Sequence, residues 1–305
     1  MVATAVVTSA VARPSKTDVL LLALAITAVS TSAPLIREAA APALVIAFWR
    51  NAMACAVLVP YTATRHREEA AALGRRERRL AVLAGCLLAA HFATWIPSLS
   101  FTSVASSVAL VATQPVWAAL LARLRGEHVP RGAWLGIAIA FAGAVVLSGV
   151  DLSLSARALG GDALALVGGM LAAAYVTVGA EVRRTVSTSV YTTVCYSVTA
   201  VALLAVCVVG RQNLTGHPAR TWVLLVAITV GPQLLGHSVV NRVLRTTSAT
   251  VVSVAILFEI VGATFIAWLW FGETPPLAAY PAAVLIATGV VLVVRSGRSP
   301  AAAVD

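Results

Sequence analysis

Four side chains that could carry chemistry stand on four different apolar stretches of this 305-residue chain: Arg50, His91, Gln114 and Glu259. An arginine can grip a carboxylate through two parallel hydrogen bonds, and an imidazole exchanges protons near neutral pH. An amide donates and accepts, and a carboxylate titrates. Together these groups are equipped to hold a small ionisable solute and to pass a proton. Glu259 lies inside ILFEIVGATFIAWLWFGE, residues 256–273, and each of the others falls near the middle of its own stretch. A charge at mid-depth in a bilayer costs about 2.5–3.5 kcal/mol on insertion scales, so it is expected to face a water-filled cavity or a partner rather than lipid. Glu259 and His91 are the proton-coupling candidates. The competing reading for Glu259 is a fixed structural role, either as a permanent pair with Arg50 or through hydrogen bonds that lock the ninth helix.

Helical spacing gathers further polar residues around these four. His91, Thr94, Trp95 and Ser98 share one face of the third stretch, Thr27, Ser30, Thr31 and Pro34 one face of the first, and Gln233, His237 and Asn241 recur at steps of four on the eighth. The seventh carries Thr192, Cys195, Tyr196 and Thr199, and Tyr175 stands on the sixth. The candidate cavity set is therefore Ser30, Thr31, Arg50, His91, Thr94, Trp95, Gln114, Tyr175, Tyr196, Gln233, His237, Asn241 and Glu259. Any one serine or threonine is accounted for by an interhelical hydrogen bond worth under about 1 kcal/mol, whereas several stripes together call for a solvated pathway. Pro115 and Pro232 lack the N–H that would bond the carbonyls of Val111 and Ile228, which predicts two irregular points near midspan.

The elements that must position these residues are membrane helices. Hydrophobic residues make up 60% of the chain, charged residues 11%, and the mean hydropathy is +0.92, outside the range of soluble domains. Ten apolar stretches are long enough to span a hydrocarbon core, at about 18–36, 42–63, 80–100, 103–124, 131–150, 159–180, 187–209, 220–242, 246–270 and 276–294. Of the 22 lysines and arginines, 17 fall in alternate connections, which places both termini in the cytoplasm. That topology accounts for the net charge of +10 without a nucleic-acid partner. Residues 1–17 read as a disordered lead and 295–305 as a cytoplasmic tail. Cys55, Cys86, Cys195 and Cys207 have no metal-ligand spacing, so no metal and no cofactor are expected. No nucleotide-binding loop and no hydrolase or metalloprotease motif is present, which argues against an enzyme.

The chain also repeats itself. TSVASSVALVATQPVWAALLARLRGEHVP, from Thr102, aligns with TSATVVSVAILFEIVGATFIAWLWFGETPP, from Thr247, with one single-residue gap. Gln114 then matches Glu259, Gly126-Glu127 matches Gly272-Glu273, and Gly143 matches Gly289. Halves of five helices each, 18–150 and 159–294, have an odd number of crossings, so equivalent residues face opposite sides: an inverted repeat. The fold class expected is all-α integral membrane, ten transmembrane helices as two inverted five-helix repeats. The fifth and tenth helices lack ionisable midspan groups. Gly132, Gly136, Ala140 and Gly143 give the fifth a small-residue face, for scaffolding or for a homodimer contact.

These residues resemble the drug/metabolite transporter superfamily in its EamA-type ten-helix branch. The resemblance is carried by GPQLLGHSVVNRVLRTTSATVVS (231–253) running into the Glu259 stretch, IAFWRNAMA (46–54) and SLSFTSVASSVALVATQPVWAALLA (98–122). It implies cytoplasmic termini in a bacterial inner membrane and a central cavity lined by helices one to four and six to nine. It also implies a secondary active transporter, an exporter of small amphipathic metabolites, amino acids or drug-like compounds by alternating access. The expected partners are a small-molecule substrate and the lipid bilayer. An exchanger of nucleotide sugars or phosphorylated metabolites would need more midspan cations than Arg50, and a non-transporting receptor or chaperone is the other alternative. Where the second repeat of that family usually has Glu-Pro, this chain has Glu259-Ile260, so the expected kink there loses its proline.

Overall fold

The computed structural model describes residues 14–102, 107, 110–148, 155–272 and 277–296, almost entirely helices joined by short connections. Most of the expected lead and tail lies outside the described residues. In the first half run α1 (Lys16–Ser30), α2 (Ser32–Glu38), α3 (Ala43–Arg65), a short α4 (Arg67–Ala71), α5 (Arg75–Ser98), α6 (Gln114–Leu124) and α7 (Arg131–Ser148). The second half has α8 (Ala156–Val182), α9 (Thr188–Val209), α10 (Ala219–Ile228), a π-helical segment (Thr229–His237), α11 (Ser238–Val243), α12 (Ala249–Ile256), α13 (Phe258–Phe271) and α14 (Ala279–Ser296). Seven segments among the described residues are long and apolar enough to cross a bilayer: Lys16–Glu38, Ala43–Arg65, Arg75–Ser98, Ala156–Val182, Thr188–Val209, Ala219–Val243 and Ala249–Trp270. The apolar helices α6, α7 and α14 stand where the fourth, fifth and tenth spans are expected.

The helix ends are written in the sequence. Ser15, Ser155, Ser187 and Ser248 each accept a hydrogen bond from the backbone N–H three residues on, starting α1, α8, α9 and α12. Gly126 and Gly272, matched in the two halves, both take positive φ, 79° and 68°, just past the ends of α6 and α13.

The packing respects the exchange of halves. α5 lies on α8 as the π segment lies on α1, and α6 lies on α8 as α13 lies on α1. Equivalent spans also meet each other: the second and seventh through α3 and α9, the fourth and ninth through α6 and α12, and the fifth and tenth through α7 and α14. At the last of these, a Cβ on Gly136 would stand 2.6 Å from the carbonyl oxygen of Gly289, and one on Gly143 2.8 Å from that of Ala282. As the chain climbs from 136 to 143, its partner descends from 289 to 282, so the two helices run antiparallel. Since Gly143 matches Gly289, and Gly136 thereby Ala282, each residue meets the other's counterpart, the signature of a two-fold axis. The small-residue face of α7 is thus buried within the chain against α14.

Two hydrophobic clusters result. The larger draws on α1, α2, α3, α5, α8, α9 and the helices of the eighth span, the smaller on α6, α7, α13 and α14, and α12 contributes to both. Part of the polar set stands at the seam between these two bodies and part inside the larger one.

Candidate functional site

Both helices at the seam are broken at matching points. α6 begins after a turn at Ala112 and Thr113, held by Thr113 N–H to Leu110 O at 3.1 Å and Val116 N–H to Thr113 O at 2.9 Å. In the second half Leu257 N–H bonds Val254 O at 3.1 Å and Ile260 N–H bonds Leu257 O at 3.2 Å. These i→i+3 bonds tighten the chain for one turn before a new helix starts. Pro115 does not kink a continuous helix: it sits in the first turn of α6, where an N–H would have no helical partner anyway. The second half breaks without any proline, because the turn is held by its own hydrogen bonds. Gln114 and Glu259 therefore both occupy the first turn of a half-helix, the end at which unpaired N–H groups favour negative charge.

Between the two bodies lies a cavity of about 110 Å³. His91, Trp95, Gln114, Tyr175, His237 and Glu259 line it, together with Ser32 and Ser253. Gln114 Nε2 donates to Ser253 Oγ at 3.0 Å. His91 Nδ1 lies 2.9 Å from Gly168 O, which can only accept; the proton is therefore on Nδ1, leaving Nε2 as an acceptor. The His91 ring stacks on Trp95 at 5.7 Å and 7°, and the His237 ring stands edge-on to Phe92 at 5.8 Å. Among the described residues the buried Trp95 Nε1–H has no hydrogen-bond partner. Glu259 is half-buried, and among the described residues no cation lies within 4.0 Å of its carboxylate. Arg50 acts on it only through space.

The remaining candidates stand elsewhere. Arg50, fully buried, lies one side chain behind the cavity wall: Nε donates to Gln233 Oε1 at 2.7 Å, Nη1 to Ser32 Oγ at 3.4 Å, and the guanidinium covers the Phe92 ring at 4.7 Å. Gln233 Nε2 in turn donates to Asn51 Oδ1 at 3.1 Å. Asn241 Nδ2 donates to the hydroxyl of Tyr175 at 2.7 Å and to that of Tyr196 at 3.5 Å. The stripe Gln233, His237, Asn241 is thus divided among Arg50, the cavity and two tyrosines. Its first members lie in the π segment, where bonds span five residues and steps of four no longer stay on one face. Ser30, Thr31 and Thr94 turn their hydroxyls onto carbonyls of their own helices, Ile26, Ala28 and Ala90, at 2.7, 2.7 and 2.9 Å. Ser30 also abuts Gly262 and lines a separate apolar groove between α1 and α13.

Ser32, Asn51 and Ser253 are polar members of this neighbourhood that the periodicity argument missed. Asn51 could have been found as the neighbour of a midspan arginine. Ser253 could not, because residues six apart do not share a face of an unbroken helix, and only the turn at Leu257 brings it beside Glu259's cavity.

The fold and this cavity define a multi-pass membrane protein built from two repeats that meet around a polar chamber. The sequence profile of the EamA-like transporter family matches residues 16–149 and 159–295. The chain belongs to that family and is a membrane transporter. A solved structure described only as the crystal structure of a protein is 19% identical and superposes with a TM-score of 0.75, covering 90% of this chain and 96% of the other. That likeness speaks to fold alone. Among curated proteins, none matches this chain.

Proposed function

We propose that the protein is a secondary active transporter with ten spans and both termini in the cytoplasm of a bacterial cell, exporting small amphipathic metabolites, amino acids or drug-like compounds. The observation that carries this reading is Glu259, an acid with no cation within 4.0 Å among the described residues, in the first turn of a half-helix on the wall of a cavity where the two repeats meet. The cavity offers a carboxylate at Glu259, a free indole N–H at Trp95 and an amide at Gln114, amid apolar surface from Ala112, Val176 and Ile256. That is the equipment for one cationic or hydrogen-bonding group on an otherwise apolar solute. At about 110 Å³ it is smaller than sites that hold drug-sized ligands, which run from about 300 Å³, so loading requires the two bodies to part. Rocking at the seam would open the chamber to each side in turn, and Glu259 would load a proton on one side and release it on the other, in exchange for solute.

The test is transport into sealed proteoliposomes. Counterflow with a panel of amines, amino acids and aromatic metabolites should identify at least one substrate. Glu259→Gln should then abolish accumulation driven by a pH gradient while sparing counterflow. Unchanged proton dependence in that variant removes the coupling role, and failure of every compound to exchange removes transport of this solute class.

A further inference from the structure

Toward the arginine-rich end of the helices that line the cavity lies a second basin, of about 190 Å³. The same elements build it a turn or more further on: Gln114 of α6 gives way to Ala118 and Ala122, Val176 of α8 to Ala180 and Glu181, and Ser253 of α12 to Thr250. Three cations stand on its walls, Arg125, Arg184 and Arg245, against two acids, Glu127 and Glu181. Glu181 is already neutralised by Arg76 at 2.7 Å, Arg125 at 3.2 Å and Arg184 at 3.3 Å, and Glu127 lies 3.7 Å from Arg125. Arg245 has no acid within 4.0 Å among the described residues. The basin therefore keeps an excess of positive charge.

Its floor is the start of the eight-residue α12. Ser248 Oγ takes the N–H of Val251, but the N–H groups of Ala249 and Thr250, both on the basin wall, belong to the first helical turn and have no partner within the helix. Two further donors are left over. Thr247 and Thr177, 4% and 8% exposed, line the basin, and among the described residues the hydroxyl of each finds no hydrogen-bond partner. Buried hydroxyls without partners are rare, and here the two residues that carry them line one space with the first N–H groups of α12 and with a guanidinium that no acid pairs among the described residues.

We propose that this basin binds a compact oxyanion, a carboxylate or phosphate group, between Arg245, the hydroxyls of Thr247 and Thr177, and the first N–H groups of α12. The group is carried either by a solute entering from that face or by an anionic lipid headgroup. The midspan cavity, with its unpaired acid, has the opposite electrostatic character, so the two sites take different chemistry.

The test uses the purified full-length chain in phosphatidylcholine nanodiscs, titrated at constant ionic strength with sodium phosphate and separately with malonate. The thermal midpoint is followed, since a ligand held only by the folded form raises it with saturation. Arg245 is exposed, so its replacement leaves the packing intact. Arg245→Gln should raise the half-saturating concentration about tenfold, the loss of one charge-assisted contact. Thr247→Val, which keeps the side-chain shape, should raise it about threefold, and Arg220→Gln, at the far end of the same span, should leave it unchanged. Saturation only when phosphatidylglycerol replaces phosphatidylcholine, with the same dependence on Arg245 and Thr247, supports the site and names the headgroup as the source. No saturable effect from either anion or from the lipid, or equal effects in wild type and both variants, overturns the proposal. No translocation is measured, so failure here is distinct from failure of the transport reading.

Discussion

The crossing of α7 and α14 gives the most direct test of the two-fold arrangement. A methyl group on Gly289 would lie 2.4 Å from Gly136 O and 2.6 Å from Ala140 Cβ, and one on Gly136 would lie 2.6 Å from Gly289 O and 2.8 Å from Val293 Cγ2. The nearest obstacle in each case is backbone, which cannot rotate aside, so the helices must separate. Overpacking of this kind costs about 1–3 kcal/mol per substitution. Gly160, within α8, provides the contrast: a methyl there meets nothing within 4 Å, so Gly160→Ala should stabilise by about 0.4–1 kcal/mol through the unfolded chain. Once Gly289→Ala has pushed the helices apart, much of the room needed by Gly136→Ala already exists. The double variant should therefore cost less than the two singles together, with a coupling of at least about 0.5 kcal/mol. Unfolding free energies in mixed micelles measure all four variants. If the singles are as benign as Gly160→Ala, or the pair strictly additive, the helices are not in contact and the reciprocal packing is wrong.

Three more outcomes follow from particular contacts. Gln233→Leu removes the acceptor of Arg50 Nε and the donor to Asn51 while preserving bulk, and should cost about 1.5–3 kcal/mol in the same unfolding assay; a neutral result would mean that Arg50 finds its partner elsewhere. In a cysteine-free background, cysteines at Ser32 and Ser253 should react with a small water-soluble thiol reagent and one at Thr94 should not, since only the first two line the cavity; protection of both in all conditions would mean a dry seam. In the connection between α3 and α5, burial raises the Glu69 carboxyl, but hydrogen bonds from Ser187 N–H, at 2.6 Å, and from His66 outweigh it and hold it below the usual carboxylate range. A lowered folded value means that this contact stabilises the protein above the unfolded value of about 4.3 and that the gain fades as pH falls through the folded value. The gap in thermal midpoint between wild type and Glu69→Gln should accordingly close on acidification, and a gap constant from pH 7 to pH 3 would refute the contact.

Much of the frame was legible because lipid makes the rules strict. Length and hydropathy mark the spans, and serine caps start several of them. Gly126 and Gly272, matched by the repeat, end their helices in the same left-handed conformation, a point the alignment alone did not state. The position of Glu259 was legible because a midspan acid has few places to go. What periodicity could not deliver was the phase of the interrupted helices. Counting by fours along the eighth span assumed an α-helix throughout, and the π segment at Thr229–His237 sends Gln233 and His237 to different neighbours. Counting on the first and third spans placed Ser30 and Thr94 beside Thr31 and His91, but short hydroxyls satisfy themselves on the preceding turn, and those two are spent there. Arg50 was legible as a midspan cation, but not that an amide from another helix would meet it.

The seam also explains why an acid stands in one repeat and an amide in the other. Gln114 and Glu259 hold equivalent posts, each in the first turn of a half-helix. Gln114 is engaged by Ser253, a residue of the other half's broken span, and so helps bind the smaller body together. Among the described residues Glu259 has no such partner, and it keeps its carboxylate on the cavity wall. Two acids at these posts would place like charges across one small chamber, and two amides would leave it without a carboxylate. The asymmetry sets one carboxylate and one fixed hydrogen bond at equivalent posts. The two repeats supply equivalent posts, and this departure from their symmetry puts one carboxylate on the cavity wall.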